Sequence, residues 1–188
     1  MKENTSDTNI FGFWVYLMSD CVLFATLFAT YAVLQGATFG SPGPAELFSL
    51  PFVLIETIIL LTSSFTVGVA LLLAHAGKRI LTFLALLATL ILGIAFLSME
   101  VYEFWHLVAE GHGPATNAFL SSFFTLVGTH GLHVFFGALW MVVVIAHLLT
   151  KGLTDPVVRK ITLLSLFWHF LDVIWIFIFT FVYLFGAL

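Results

Sequence analysis

Charged residues are scarce in this sequence. Of its 188 residues, 9% are Asp, Glu, Lys or Arg and 61% are hydrophobic, whereas an ordinary soluble domain is about 25% charged. The six Lys and Arg residues form no basic stripe, which excludes nucleic acid as a partner. These shortages indicate an integral membrane protein.

Cysteine is almost absent, since Cys21 is the only one in the chain. It cannot form an internal disulfide, and neither a Cys-x-x-x-Cys copper motif nor a Cys-x-x-Cys zinc motif is present. The sequence therefore predicts no cysteine-based metal centre in this chain.

Long apolar runs, separated by proline and glycine, define the architecture. A membrane-spanning helix needs about 20 mostly apolar residues, and five segments meet that requirement. We predict an all-α bundle of five transmembrane helices in a single membrane domain, 1–188, with spans at 11–34, 51–74, 80–108, 118–149 and 157–188. The first run is too long for a signal-peptide core and contains Asp20, which favours a retained span over a cleaved signal.

The basic residues lie on one side of this predicted bundle. With five spans, the amino terminus, the turn 75–79 and the loop 150–160 share a face. That face holds all six Lys and Arg residues, namely Lys2, Lys78, Arg79, Lys151, Arg159 and Lys160. Because the loops on the cytoplasmic side of membrane proteins carry the excess of Lys and Arg, we expect a cytoplasmic amino terminus and a periplasmic carboxyl terminus.

Ionisable residues inside the spans are the main functional signal. Several form pairs spaced three residues apart, so the members of a pair share one face of a helix. The pairs are Glu100/Glu103, Glu103/His106, His130/His133 and His169/Asp172, and Asp20 and Glu56 are further acids within apolar runs. A charge at membrane depth is costly, and such residues usually face a bundle interior, a partner or a polar cavity.

The helical rise assigns a depth to each of these residues. At about 1.5 Å per residue, Asp20 lies ~13 Å from the cytoplasmic end of span one. Each glutamate inside a span lies within ~13 Å of the outer end of that span. We therefore expect a group of three glutamates, Glu56, Glu100 and Glu103, in the outer half of the membrane with His130 nearby. Near the midplane we expect a His/Asp group from spans four and five, made of His133, His169 and Asp172.

Two smaller sets of residues also carry expectations. Trp14, Trp105 and Tyr183 are predicted to be interfacial anchors. Trp168 and Trp175, seven residues apart on span five, are predicted to be packing or lipid-facing residues.

Three interpretations of the polar residues stay open at this point. They can be interhelical hydrogen-bonding groups, worth about 0.6 kcal/mol each, that fix the helix register. They can hold a metal in a stand-alone membrane enzyme, since Glu103 and His106 form the Glu-x-x-His motif of di-iron bundles, although the chain has no second such motif. They can also line the path of a small ion or solute transporter.

Four segments resemble a known family. They are 11–20 (FGFWVYLMSD), 98–103 (SMEVYE), 128–133 (GTHGLH) and 166–175 (LFWHFLDVIW). Together they resemble subunit III of the haem–copper terminal oxidases over nearly the whole chain. Within that family the chain is most similar to the bo-type ubiquinol oxidase branch, because of its short length, its five spans and its Met-Ser-Asp-Cys motif.

The resemblance implies a non-catalytic subunit with no haem, copper or quinone of its own. The expected partners are a catalytic subunit I that carries haem and copper, a subunit II and a small subunit IV. The complex would lie in the bacterial cytoplasmic membrane, oxidise quinol, reduce oxygen to water and pump protons. Bound phospholipid is also expected.

The resemblance further assigns roles to the polar residues. Asp20 matches the position of a carbodiimide-reactive carboxylate near a phospholipid-holding cleft, where many relatives have Glu. Since we see no basic residue in the spans to pair with it, we expect Asp20 to contact a partner subunit or lipid. No catalytic, cofactor-binding or metal-ligating residue is expected. The expected structural network consists of Glu56, Glu100, Glu103, His130, His133, His169 and Asp172.

Overall fold

A computed structural model describes residues 2–38 and 47–186 of the chain, with side-chain detail for all of these except residues 2–7 and 9. The described residues form five α-helices and no strand. The helices are α1 (Lys2–Leu34), α2 (Leu50–His75), α3 (Arg79–Ala109), α4 (Ala118–Lys151) and α5 (Asp155–Ile178). A π-helical segment, Phe179–Leu184, continues α5.

All five helices are long and apolar enough to cross a membrane. The spans are Ile10–Leu34, Leu50–His75, Arg79–Ala109, Ala118–Lys151 and Asp155–Leu184. The prediction of an all-α, five-span fold is confirmed. The last two predicted residues of span five, 187 and 188, lie outside the described residues, as does segment 39–46 of the first long loop.

Helix boundaries follow from local backbone chemistry. The Asn117 side chain caps α4 by accepting a hydrogen bond of 2.7 Å from the backbone nitrogen of Leu120. Gly152 ends α4 with a φ of 70°, a conformation that an L side chain rarely adopts. Pro156 lies in the first turn of α5, where a missing backbone N–H costs no helical hydrogen bond. Gly152 and Pro156 together make the connection between α4 and α5 short.

Helix α5 is the centre of the bundle. It packs against α1, α2 and α4, while α3 packs against α2 and α4, and α1 packs against α4. Two of the largest fully buried side chains, Trp168 and Trp175, belong to α5. The position of α5 decides which polar residues of the other helices become neighbours.

Glycine allows α3 and α4 to approach the buried Trp168 ring. A Cβ atom at Gly93 of α3 would lie 2.9 Å from two ring atoms of Trp168, and one at Gly137 of α4 would lie 3.2 Å from a third. The indole is also held by its hydrogen bond to Ser63 of α2, at 2.9 Å. One side chain of α5 therefore sets the spacing of three neighbouring helices.

Candidate functional site: polar groups inside the helix bundle

Three glutamates lie together in the half of the bundle that is nearer the connection between α3 and α4. Glu56 of α2 interacts electrostatically with Glu100 and Glu103 of α3. Glu56 and Glu100 are buried. The hydroxyl of Tyr183, in the π-helical segment, donates a hydrogen bond of 2.8 Å to Oε2 of Glu103. The structure thus brings together the three glutamates that the helical depths had grouped, and adds a tyrosine to them.

Glu100 lies directly against the backbone of α4. A Cβ atom at Gly131 would lie within 2.7 Å of the Glu100 carboxyl carbon, so only glycine leaves room for this side chain. Oε2 of Glu100 and both carboxyl oxygens of Glu56 have no hydrogen-bond partner among the described residues. Unpaired buried oxygens cost free energy, so this cluster is held in place by the packing around it.

The ring of His130 packs among aromatic side chains. It lies 5.2 Å from Trp175, 6.0 Å from Phe96 and 6.3 Å from Phe24, measured between ring centroids. The side chain is fully buried, and within the described part of the chain neither ring nitrogen has a hydrogen-bond partner. The ring of His130 therefore contacts aromatic side chains, although its neighbour in the sequence, Gly131, contacts the Glu100 carboxyl group.

Asp20 has a histidine beside it. Oδ2 of Asp20 lies 3.8 Å from Nε2 of His133, which connects α1 to α4. The expectation that no basic residue in the spans is available to Asp20 is therefore wrong. Nδ1 of His133 donates to the backbone oxygen of Thr129 at 2.7 Å, so Nε2 is the nitrogen left to interact with the carboxylate. Periodicity along one helix does not reveal such a partner on another helix.

The three residues expected near the midplane, His133, His169 and Asp172, lie in two different places. Nδ1 of His169 is hydrogen-bonded to Oγ of Ser64 at 2.6 Å, which connects α5 to α2. The buried carboxyl of Asp172 also lies beside Ser64. His133 instead contacts Asp20 and the ring of Phe24 on α1. The expected single His/Asp group from spans four and five is therefore not formed, because α4 and α5 direct these side chains toward different helices.

The two members of the Glu-x-x-His motif of α3, Glu103 and His106, point in different directions. Glu103 turns inward to Tyr183, whereas His106 is half-exposed and has its Nδ1 3.4 Å from Oε2 of Glu110. Among the residues that the structure describes, no three His, Cys, Asp or Glu side chains converge on a position suited to a metal ion.

Sequence reasoning missed three aromatic donors. The indole of Trp175 donates to Thr57 at 3.0 Å, as that of Trp168 does to Ser63. Tyr183, predicted to be an interfacial anchor, is fully buried. The sequence did contain one signal for the indole donors. Trp168 and Trp175 are seven residues apart, which places both on one face of α5. That face lies opposite the hydroxyl-bearing residues of α2.

These contacts connect helices that are distant in sequence. Two indole donors join α5 to α2, a phenol joins the π-helical segment to α3, and a hydroxyl pair, Thr66 and Thr89 at 2.8 Å, joins α2 to α3. Hydrogen bonds between membrane helices average about 0.6 kcal/mol. The arrangement is suited to fixing the register of α2, α3 and α5.

Comparisons with known proteins give the family. Residues 4–187 match the family described as Cytochrome c oxidase subunit III. Cytochrome bo(3) ubiquinol oxidase subunit 3 of Pseudomonas aeruginosa is 56% identical over 186 residues, covering 99% of this chain and 89% of that protein. The protein of the same name from Pseudomonas putida is 50% identical, covering 99% and 90%. Quinol oxidase subunit 3 of Bacillus subtilis is 46% identical over 185 residues, covering 98% and 91%.

The match extends over nearly the whole chain and includes all five spans. Five apolar helices and close bacterial relatives make this a multi-pass protein of the bacterial inner membrane. The chain belongs to the cytochrome c oxidase subunit III family.

Proposed function

We propose that this chain is subunit III of a proton-pumping quinol oxidase of the aerobic respiratory chain. Its role is to support the assembly and stability of the catalytic subunit, and it takes no part in electron transfer. The observation that carries the proposal is the similarity, over 98–99% of the chain, to proteins named quinol oxidase subunit 3. The Pseudomonas relatives are named as ubiquinol oxidase subunits, which favours ubiquinol as the donor.

The geometry of the polar residues supports a structural role. Glu103, Ser64 and His169 are engaged by other helices of this chain, through the Tyr183 hydroxyl and the Ser64–His169 hydrogen bond. Asp20 and His133 likewise lie beside each other across α1 and α4. Neither a stand-alone metal enzyme nor a transporter is favoured by any of these contacts. In this proposal haem and copper lie in catalytic subunit I, and subunit II and a small subunit IV complete the complex.

A groove at one end of the bundle supports bound phospholipid. It lies between α1, α5 and the end of α2, and has a volume of about 810 Å³. Ile10 and Phe13 form apolar walls, and Arg159 and Lys160 supply positive charge. This combination suits acyl chains and an anionic headgroup. Tyr16, one turn before Asp20 on α1, also lines the groove, which supports a location for Asp20 close to lipid.

We also propose that the amino terminus is cytoplasmic. Arg79, the first residue of α3, donates a hydrogen bond of 2.6 Å to the backbone oxygen of Leu149, near the end of α4. This contact supports a common face for the two basic connections, and that face carries the Lys and Arg excess that cytoplasmic loops have.

Deletion of the subunit tests the proposed function. Membranes from a strain without this chain should keep the haem spectrum and the initial quinol-dependent oxygen uptake of complexes that assemble. The amount of complex, its lifetime during turnover or its proton yield should fall, since a flank of the catalytic subunit is left uncovered. The measurements are an optical spectrum, an oxygen-electrode trace and a proton-pumping assay. Loss of a haem or copper signal from an assembled catalytic subunit would show that the chain supplies a ligand.

Tyr183→Phe tests the structural role of the polar network. The variant removes the hydroxyl that bonds Glu103, at a cost of roughly 0.6–1.7 kcal/mol. The yield of purified complex should fall while its haem absorption bands keep their positions. Tyr102→Phe is the matched control, because the Tyr102 side chain is 53% exposed. Equal yields for the two variants would contradict the proposed contribution of the buried hydroxyl.

Cysteine labelling tests the orientation. In a Cys21→Ser background, a membrane-impermeant thiol reagent applied from the periplasmic side should label Ala115→Cys, in the connection between α3 and α4. It should not label Thr154→Cys, in the connection between α4 and α5, unless the membrane is permeabilised. Both positions are exposed. The reverse pattern of labelling would overturn the cytoplasmic amino terminus.

Carbodiimide modification tests the location of Asp20. Because Asp20 lies at membrane depth and is 7% exposed, a lipid-soluble carbodiimide should modify it and a water-soluble one should not. Peptide mass spectrometry of the purified complex locates the adduct. Asp20→Asn should abolish it, and Asp172→Asn should leave it unchanged. Absence of the adduct in the wild type, or its persistence in Asp20→Asn, contradicts a location of Asp20 close to lipid.

A further inference from the structure

A second groove lies between α3 and α4, in the half of the bundle that is nearer their connection. Its volume is about 560 Å³, within the range of roughly 300–1,000 Å³ that small-molecule sites have. Phe104 of α3 and Phe124 and Phe135 of α4 supply aromatic walls. This groove shares no lining residue with the groove proposed above for phospholipid. It is therefore a separate place for an apolar ligand to bind.

The shape of this α3–α4 groove depends on two glycines of α4. Gly128 lines it, and a Cβ atom there would lie 3.5 Å from the Phe104 ring. Gly131 also lines it and leaves room for the Glu100 carboxyl group against the α4 backbone. Val101, at the mouth, is 65% exposed, whereas Glu100 is 3% exposed. The carboxyl group thus lies at the floor of a groove that opens toward lipid.

The carboxyl group at the floor lacks a hydrogen-bond donor. Oε2 of Glu100 has no partner among the described residues. Helix α3 runs from residue 79 to residue 109, so its middle is residue 94. With α3 centred in the bilayer, Glu100 lies ~9 Å from the midplane, inside the ~15 Å half-thickness of the hydrocarbon. Because a polar group at this depth is costly without a partner, the groove calls for a donor that arrives through lipid.

We propose that the α3–α4 groove binds the head of a membrane quinol, an aromatic ring that carries hydroxyl groups and an apolar tail. One hydroxyl donates a hydrogen bond to the Glu100 carboxyl group, and the ring packs against the phenylalanine walls. The tail leaves through the mouth into lipid. The inference rests on the proposed function, since a quinol oxidase works in a membrane that contains this molecule. The site only binds quinol, and holds it beside the complex that oxidises it.

Phospholipid and a helix of another subunit do not meet the same requirements. An acyl chain has no donor for Glu100, and a headgroup lies ~6 Å farther from the midplane than this residue. A helix is about 10 Å across, so it would cover the mouth and leave the carboxyl group at the floor unpaired. A quinol combines a flat ring, a donor and an apolar tail in one molecule.

Photolabelling of the purified complex locates the quinol head. The probe is an azido-substituted ubiquinone analogue with a decyl tail, reduced chemically and kept anaerobic. Illumination and peptide mass spectrometry should give an adduct within residues 97–104 or 124–135, and an excess of decylubiquinol should remove it. Absence of an adduct from both segments would overturn the proposal. Displacement of the probe by phosphatidylethanolamine and not by decylubiquinol would also overturn it, and would identify a lipid site.

Glu100→Leu tests the hydrogen-bond acceptor. In the assembled complex this variant should weaken the apparent affinity for the probe roughly twofold to tenfold, as expected for the loss of one hydrogen bond. Glu56→Leu is the matched control, because Glu56 is also buried with unpaired oxygens but does not line the groove. Equal affinities for the two variants contradict a role of the Glu100 carboxyl group.

Val101→Trp tests the groove without altering its floor, and serves also if Glu100→Leu does not assemble. An indole at this exposed position should fill the mouth and remove most of the adduct. Val108→Trp is the control, since Val108 is 52% exposed on the same helix and does not line the groove. An adduct of unchanged yield in Val101→Trp contradicts binding in the groove.

The two proposals fail in distinguishable ways. If the chain does not co-purify with a haem-bearing subunit, the proposed function is wrong and this inference falls with it. If the complex is intact and oxidises quinol, but the probe labels only other subunits, the proposed function stands and the inference alone is overturned.

Discussion

Within the hydrocarbon of a membrane, no water is available to an unpaired polar group, so a buried donor needs an acceptor on a neighbouring helix. In this bundle three aromatic side chains, two on α5 and one in the π-helical segment after it, donate such bonds to side chains of α2 and α3. Two indoles reach hydroxyls of α2 and the Tyr183 phenol reaches Glu103 of α3. These bonds require α5 to be central, and they fix which faces of α2 and α3 point inward. The position of α1, against α4 and α5, follows from that centre.

Hydrogen bonds alone do not hold the bundle together, because each is worth only about 0.6 kcal/mol in a membrane. Close packing supplies the rest, and glycine makes it possible. Gly93 and Gly137 allow two helices to reach the Trp168 ring, and Gly131 allows Glu100 to lie against α4. The unpaired oxygens of Glu56 and Glu100 are tolerated within this tightly packed region. Packing and polar contacts therefore act at the same places in the bundle.

The five helices and the depths of the polar residues could be predicted, since apolar length and helical rise determine both. The partners of those residues could not be, because periodicity along one helix gives a face and not the helix opposite it. Asp20 illustrates this limit, as its neighbour His133 lies 113 positions away in the sequence. The prediction that Tyr183 is an interfacial anchor was wrong for a second reason. It belongs to a π-helical turn, whose i→i+5 hydrogen bonds rotate side chains away from the face that a regular α-helix predicts.

The polar side chains of this subunit face two ways. Glu56, Glu100 and Tyr183 face inward and are buried by this chain alone. The side chain of His169 is exposed at the side of the bundle, where its Nδ1 is bonded to Ser64. The inward set therefore stabilises the interior of the subunit, whereas the Ser64–His169 bond holds α5 against α2 at its surface.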